Sequence, residues 1–126
     1  MKIYTAGYTG HKPEQLKAIA EKLDAVVVDI RYSTKSRVPH WTNGYLLTLL
    51  GRDYKWNQFL GNRNYKSGPI EIVDMVVGIR MLNWETKNII LLCACKNRET
   101  CHRDVVAKEI ERQTGEDVNE VDWSVI

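Results

Sequence analysis

Two short runs of consecutive apolar residues constrain the fold of this chain more than any other feature. Residues 25–30 are rich in valine, and residues 88–93 are rich in isoleucine and leucine. Runs of this length, without regular polar alternation, are typical of strands that are buried on both faces of a parallel sheet. Since parallel strands are joined by crossover helices, the two runs predict an α/β fold.

The rest of the chain completes a β-α-β-α-β-α-β-α-β pattern. The third strand is short and has one polar face, which predicts a position at the sheet edge. A helix that starts at Pro69, capped by Ser67, is apolar around much of its circumference and is expected to be well buried. The pattern predicts one small three-layer α/β domain over residues 1–126, with a mostly parallel sheet of about five strands and helices on both faces. Strands are predicted at residues 2–6, 25–30, 54–58, 88–93 and 118–123. Helices are predicted from Pro13, after a cap at Thr42 or Asn43, from Pro69 and from Cys101.

Length and composition narrow the class of protein. The 126 residues, 44% of them hydrophobic, suffice for one domain with its own core. The chain has no apolar run long enough to span a membrane, and residues 1–5 are typical of a strand rather than of a signal peptide. Three cysteines within nine positions do not form the disulfide framework of a secreted protein, so a reducing cytoplasm is expected.

Right-handed crossovers place every loop that follows a strand at one edge of the sheet, the C-terminal edge. We therefore expect these loops to be neighbours in space although they are far apart in sequence. Three of them, residues 31–41, 60–68 and 95–103, hold eight of the 18 basic residues and a single acid, Glu99. Although the net charge is only +2, a cationic edge of this kind indicates an anionic ligand.

The last predicted helix adds a second anion-binding feature. Its N-terminus, at Cys101, presents unpaired backbone N–H groups and the positive end of the helix dipole to the same edge. Phosphate, nucleotide or nucleic acid is therefore the expected class of ligand. Ligand contacts are predicted from basic and aromatic side chains of the edge loops, namely Tyr8, Arg31, Arg37, Arg98 and Arg103.

The cysteines permit several interpretations, and the first is nucleophilic chemistry. Cys101, at a helix N-terminus and beside His102, has the surroundings that lower the pKa of a thiol. Cys93 ends a strand, which is where rhodanese-like and phosphatase-like enzymes carry their thiolate. The arginine expected six residues later is missing, because Glu99 stands there. A cysteine enzyme of this type is therefore an alternative to the preferred interpretation.

A second interpretation of the cysteines is metal binding. Cys93, Cys95, Cys101 and His102 form the pattern C-x-C-x5-C-H, a set of four soft ligands. The spaced ligand pairs of common zinc sites are absent, and the adjacent Cys101 and His102 would have to turn toward one ion. We therefore predict no metal ligand, and a redox disulfide is not favoured either. The glycines of residues 7–10 lack the third glycine of a dinucleotide fingerprint, so no nicotinamide cofactor is predicted.

Acid–base chemistry is the third interpretation of the edge. Asp29 lies at the end of the second strand, where α/β folds place functional groups. Its carboxylate is either a general base or the salt-bridge partner of Arg31 in a loop anchor, and the sequence does not separate these roles. The candidates for chemistry are therefore Asp29, Cys101 and His102, with Cys93 in a supporting role.

Five short blocks follow one another in an order that resembles the DUF488 family, a family of unknown function. The blocks are T-x-G-Y at residues 5–8, D-x-R at 29–31, S-R-x-P at 36–39, L-L-C at 91–93 and C-H-R at 101–103. The C-x-C…C-H arrangement also resembles the related DUF4326 proteins. The resemblance implies a small Rossmann-like fold, a cytoplasmic setting in a prokaryote or virus, and a shared polar site, but no particular reaction. A role in nucleotide or nucleic-acid metabolism has been suggested for relatives, which agrees with the cationic loops. The chain departs from the family pattern at Asn62, usually a glycine, and at Trp56, often a histidine.

Taken together, these features favour a protein that binds a phosphate-bearing ligand, a nucleotide or a nucleic acid, at the C-terminal edge of the sheet. Aspartate, cysteine and histidine side chains are available there for chemistry, and whether the protein is an enzyme stays open. The alternatives are a non-catalytic module that binds nucleic acid or a partner protein, and the cysteine enzyme described above. Exposed aromatic residues and apolar helices are compatible with a homodimer.

Overall fold

A computed structural model describes residues 1–125, and the side chains of residues 1–124. The elements alternate along the chain, apart from short 3₁₀ turns in the connections. The strands are β1 (Ile3–Gly7), β2 (Ala25–Asp29), β3 (Tyr54–Trp56), β4 (Asn88–Cys93) and β5 (Asn119–Glu120). The helices are α1 (Pro13–Leu23), α2 (Asn43–Leu50), α3 (Met75–Leu82) and α4 (His102–Thr114).

The five strands form one parallel sheet in the order β3-β2-β4-β1-β5. This confirms the predicted α/β fold and the edge position of β3. The two apolar runs become β2 and β4, which pair with each other in the middle of the sheet and are buried almost throughout. A strand covered on both faces cannot tolerate polar alternation, which explains the continuous apolar sequence.

Helices cover both faces of the sheet and enclose two apolar clusters. One cluster joins Leu16 and Ile19 of α1 to Leu46 of α2, and the other joins Leu82 of α3 to Val106 of α4. Alternate residues of β2 and β4 point into opposite clusters, as the period of a strand requires. No helix within residues 1–125 is long and apolar enough to cross a membrane.

The prediction of a helix from Pro69 with Ser67 as its cap is wrong. The helix begins six residues later, at Met75, because the Asp74 carboxylate accepts a hydrogen bond from the Val77 N–H (3.1 Å) and so caps it. The preceding segment instead lies along residues 59–63, in contacts such as Val73 N–H to the Gly61 carbonyl (3.1 Å). The Asn62 side chain stabilises this arrangement, since its oxygen accepts N–H bonds from Asn64 and Glu71.

This correction changes the shape of the functional edge. Ile70 and Val76, predicted to be buried, are 40% and 64% exposed. The apolar pattern of residues 70–73 therefore belongs to an extended segment and not to a helix face. Residues 61–74 form a folded loop at the C-terminal end of the sheet, where the helix was expected to lie against the core.

The last strand is also shorter than predicted. It contains Asn119 and Glu120, whereas the apolar alternation indicated residues 118–123. The chain turns after Glu120 because the Asp122 carboxylate accepts hydrogen bonds from the backbone N–H and the hydroxyl of Ser124. The helix before it ends at Gly115, whose φ of 74° is the left-handed conformation of a helix C-terminus.

Candidate functional site

A cleft of about 620 Å³ opens at the C-terminal edge of the sheet. Its volume is in the range of small-molecule sites, and its position is the usual ligand crevice of an open α/β sheet. The four loops predicted to meet at this edge all contribute to it: Tyr8 and Thr9, then parts of residues 31–38, 62–70 and 94–102. The convergence argued from topology is therefore present in the structure.

The lining of the cleft is cationic. Arg31, Lys35, Arg37 and Lys66 line it, and no aspartate or glutamate is among the lining residues of the described chain. The exposed side chains of Lys35 and Arg37 have no hydrogen bond or ion pair to any group within residues 1–125. The Lys66 ammonium lies 5.8 Å from the ring centre of Tyr65. Cations without counter-charges produce a positive potential in a concave site.

Asp29 and Arg31 form a buried anchor beneath this lining. The Arg31 guanidinium donates hydrogen bonds to both carboxylate oxygens of Asp29, through Nε (2.8 Å) and Nη2. Tyr54 donates its hydroxyl to the same carboxylate (2.7 Å). Arg31 Nη1 also donates to the Trp41 carbonyl (2.6 Å) and to the Tyr8 hydroxyl (3.2 Å). Asp29 is fully buried. Of its two interpretations, the geometry is that of the loop anchor, because both oxygens accept hydrogen bonds from Arg31 or Tyr54 inside the protein.

The electrostatics of the anchor follow from its contacts. Burial opposes the charge of Arg31, but the hydrogen bonds and charge of Asp29 outweigh it and raise the pKa of the guanidinium. Burial, with the negative charge of Asp29, raises the pKa of the Tyr54 hydroxyl above its ordinary value. The guanidinium is thus held charged and the tyrosine neutral, which makes Tyr54 a fixed donor to Asp29.

Arg103, predicted to contact an anion, lies inside the protein with no exposed surface. Its Nε and Nη2 donate to the Glu120 carboxylate (3.1 and 2.6 Å), and Nη2 also donates to the Lys96 carbonyl. Nη1 donates to the Cys95 carbonyl (2.8 Å) and to Cys93 Sγ (3.1 Å). All five guanidinium N–H groups therefore have protein acceptors. The geometry leaves Arg103 no donor for a ligand. Its side chain instead links the end of β4, the loop that follows β4, and β5.

Arg98, the other arginine predicted on this loop, points away from the cleft. It donates to the Asp104 carboxylate (3.0 Å) and to the Val118 carbonyl (2.7 Å), on the outer side of α4. Among the four predicted arginine contacts, Arg37 is the one that faces the cleft with its donors free, whereas Arg31 lines it with most donors engaged. Lys35 and Lys66 have the same exposure as Arg37 but were not among the predicted contacts.

The three cysteines come together at one end of the cleft. Their Sγ atoms all lie within 4.8 Å of one another, and those of Cys93 and Cys101 are 2.9 Å apart. Cys93 ends β4, Cys101 caps α4, and the loop between them turns back so that the helix starts beside the strand end. The absence of regularly spaced ligand pairs in the sequence therefore does not keep the three sulfurs apart.

The three thiols differ in exposure and in acidity. Cys93 and Cys101 are 1% exposed, whereas Cys95 is exposed and lines the cleft. Hydrogen bonds from Cys101 and Cys93, with the charge of Arg103 nearby, lower the pKa of Cys95 to about 3. Burial raises the pKa of Cys93. Cys95, which the sequence analysis considered only as one of four soft ligands, is therefore an accessible thiol with a lowered pKa.

A close backbone approach makes this arrangement possible. A Cβ on Gly7 would lie 1.9 Å from the Cys95 carbonyl oxygen, so no other residue fits at the end of β1 without displacing the cysteine loop. The position of Cys95 after a strand end, with a glycine on the neighbouring strand, is the sequence signal that could have identified it. Cys93, which was given a supporting role and would be the nucleophile in the alternative interpretation as a cysteine enzyme, is covered by Cys101 and accepts a hydrogen bond from Arg103.

His102 has a defined tautomer and a defined direction. Its Nε2 lies 2.7 Å from the Ile30 carbonyl, which can only accept a hydrogen bond, so Nε2 carries the proton. In the neutral ring, Nδ1 is then the atom with the free lone pair, and it lies 3.7 Å from Cys101 Sγ. The His102 ring is thus fixed between the loop that follows β2 and the cysteines.

Aromatic side chains occupy two different places around the cleft. Tyr8, a predicted ligand contact, is stacked on Trp41 with ring centres 4.3 Å apart and is mostly buried. Tyr65 is 51% exposed and faces Tyr32 at a ring-centre distance of 5.7 Å. Trp56 donates its indole N–H to the Arg31 carbonyl (2.8 Å) and so supports the anchor. Proteins of the DUF488 family, which the sequence blocks resemble, often have histidine at this position. Tyr65 is therefore the better-placed stacking surface.

Comparisons with protein-family models, with curated proteins and with solved structures were made against this chain and give no match. Functional conclusions for this protein accordingly depend on the geometry and charge of the cleft.

Proposed function

We propose that this protein binds a phosphate-bearing ligand, a nucleotide or a nucleic acid, in the cleft at the C-terminal edge of the sheet. The observation that carries the proposal is the charge of the lining, which has four cationic side chains and, within the described residues, no carboxylate. Lys35 and Arg37 are exposed there without a partner among the described residues, so their donors and charges are available to an anion. Arginine recognises phosphate through paired N–H donors, and lysine does so as a point charge.

The size and the other groups of the cleft support the same class of ligand. A volume of about 620 Å³ accommodates a nucleotide. Tyr65 and Tyr32 offer ring surfaces on which a base can stack, a contact that every base permits. Hydroxyls of Ser33, Ser36 and Ser67 line the cleft and can donate to phosphate or sugar oxygens.

Chemistry at the cleft, if the protein is an enzyme, would fall to the cysteine end of the site. Cys95, Cys101 and His102 line it, whereas Asp29 is sealed beneath Arg31 and Tyr54. A rhodanese-like or phosphatase-like role for Cys93 receives little support, because that thiol is buried. A non-catalytic nucleic-acid module remains the main alternative, and it would use the same cations.

The setting and the family are part of the proposal. Three free thiols, two of them buried in sulfur contact, suit a reducing compartment, so we place the protein in the cytoplasm. The resemblance of the short sequence blocks to the DUF488 family agrees with this fold and this edge, and it remains a resemblance of the sequence.

The experiment that tests the proposal compares two double variants of equal charge change. Lys35→Ala/Arg37→Ala removes two cations from the cleft, and Arg52→Ala/Arg80→Ala removes two exposed cations elsewhere. We expect the first pair to weaken binding of a labelled single-stranded oligonucleotide or of nucleoside monophosphates by about tenfold or more. The second pair should have a much smaller effect. Equal losses in the two double variants, or no loss in either, would overturn the proposal.

A further inference from the structure

We propose that Cys93, Cys95, Cys101 and His102 hold one zinc ion at the end of the cleft. The inference goes beyond anion binding and does not depend on it, since it rests on sulfur and nitrogen positions and not on the cationic lining. The first support is the placement of the sulfurs. Three free thiols from a strand end, a loop and a helix N-cap meet within 4.8 Å of one another.

The separations fit a mononuclear ion. Tetrahedral coordination with Zn–S bonds of about 2.3 Å places ligand sulfurs about 3.8 Å apart. The observed sulfur separations span this value, from 2.9 Å between Cys93 and Cys101 up to a limit of 4.8 Å for the set. Small side-chain rotations therefore bring all three thiolates to bonding distance of one central ion. Sulfur donors select soft ions such as zinc over magnesium or calcium, which require oxygen ligands.

His102 is not part of the group of ligand atoms that meet within 4.8 Å of one another, but it adjoins that group through Cys101, and we assign it as the fourth ligand. Its Nδ1 lies 3.7 Å from Cys101 Sγ, close to the distance of about 3.6 Å between a sulfur and a nitrogen bound to the same tetrahedral zinc. The Nε2 proton is held by the Ile30 carbonyl at 2.7 Å, and metal-bound histidines commonly donate their second N–H to a carbonyl in this way. This hydrogen bond leaves the Nδ1 lone pair directed away from the β2 loop and available to a metal.

The surrounding charges compensate such a site. Three thiolates and one zinc ion carry a net charge of −1, and Arg103 donates an N–H to Cys93 Sγ at 3.1 Å. The site also lies at the N-terminus of α4, where the helix dipole stabilises negative charge. Arg103 is held in place by Glu120 and by two loop carbonyls, so this outer support is rigid.

Such an ion would join the two ends of the loop at residues 94–100, which forms one wall of the cleft. With three sulfurs and one nitrogen its coordination is complete, as in structural zinc sites. It would tie the end of β4 to the start of α4 and fix residues 94–100 between them. We therefore expect its removal to loosen this wall more than the rest of the sheet.

The first test uses the unmodified chain. Untagged protein, purified under reducing conditions without a chelator, is analysed for zinc, and the metal-free protein is then titrated with cobalt(II). We expect a zinc stoichiometry near one per chain, and intense visible absorption of tetrahedral cobalt with thiolate charge-transfer bands. Zinc at background level together with the spectrum of hexa-aquo cobalt would overturn the proposal. This result would not bear on the cationic double variants, so the two proposals fail separately.

The second test assigns the ligands. Cys95→Ser changes an exposed ligand and should fold, yet it should lose the thiolate charge-transfer intensity of one sulfur and bind zinc more weakly. His102→Ala should weaken zinc binding by about 100-fold or more, whereas His40→Ala, which removes an exposed histidine from residues 39–41, should leave it unchanged. Wild-type zinc affinity in both Cys95→Ser and His102→Ala would contradict the ligand assignment.

Discussion

Basic residues at the C-terminal edge of this sheet fall into two groups that look alike in the sequence. Arg31 and Arg103 are buried, and each binds a carboxylate and at least one backbone carbonyl. Lys35 and Arg37 are exposed in the cleft and bind nothing within residues 1–125. The comparison shows that the satisfied donors build the edge and the unsatisfied donors are available to a ligand. Charge alone does not distinguish the two groups, but the count of hydrogen-bond partners does.

The two groups should therefore respond differently to substitution. Removing one partner of a buried ion pair leaves the other charge unsolvated and costs several kcal/mol. Removing an exposed, unpaired cation changes folding free energy by a few tenths of a kcal/mol and changes the binding of anions instead. A substitution in the buried group without a large loss of stability, or one in the exposed group with such a loss, would show that the two groups do not differ in this way.

The largest effect is expected for Arg103→Met. This change removes five donors from inside the protein and leaves the Cys95 and Lys96 carbonyls without them, whereas Glu120, with 34% of its side chain exposed, keeps its contact with water. The free energy of unfolding should therefore fall by about 3 kcal/mol. Urea denaturation followed by circular dichroism measures the loss. Arg98→Met, on the outer side of α4, is the control and should cost about 1 kcal/mol or less. A stability of Arg103→Met equal to that of the control would refute the structural role of the buried Arg103 side chain.

Gly7→Ala should have the next largest effect. Its Cβ would meet the Cys95 carbonyl at 1.9 Å and the Arg103 guanidinium at 2.9 Å, so the cysteine loop must move, at a cost of about 1–3 kcal/mol. Gly44→Ala is a matched control, because Gly44 lies in α2 with open space around it. That control should be neutral or stabilise by up to about 1 kcal/mol. Thermal denaturation of both variants is sufficient, and a neutral Gly7→Ala would show that the loop does not depend on this close approach.

The smallest effect on stability is expected for Lys35→Ala/Arg37→Ala. Both side chains are exposed and unpaired within the described residues, so the free energy of unfolding should stay within about 0.5 kcal/mol of the parent protein. Denaturant titration in the absence of ligand measures this. A loss of several kcal/mol would place these cations in the structural group with Arg103 and remove the distinction between the two groups.

Much of the fold, and the place of the site, could be predicted from the sequence. The apolar runs at β2 and β4 leave few alternatives to a central parallel pair, and a parallel sheet brings its strand-end loops together. The helix expected from Pro69 failed because an apolar pattern does not show where backbone N–H groups bond. Asn62 and Gly61 accept them from across the loop, and that pairing is not visible in local sequence.

The individual roles within the site were harder to predict, for the same reason. Arg103 is structural because Glu120 arrives beside it from β5, a contact that only the sheet order creates. Arg98 turns outward because Asp104 and the Val118 carbonyl lie there. The cysteines meet because the loop after Cys95 reverses direction. Sequence shows which residues can donate or ligate, but tertiary structure decides which partners they meet.

The central claim is that the unpaired cations of the cleft recognise phosphate, and one measurement tests it directly. Isothermal titration compares a series of nucleosides with their 5′-monophosphates, at low and at raised salt concentration. The cleft should bind at least one monophosphate about tenfold or more tightly than its nucleoside, and this preference should shrink both with salt and in Lys35→Ala/Arg37→Ala. Equal affinity for nucleoside and monophosphate across the series, or a preference that survives in the double variant, would contradict the account.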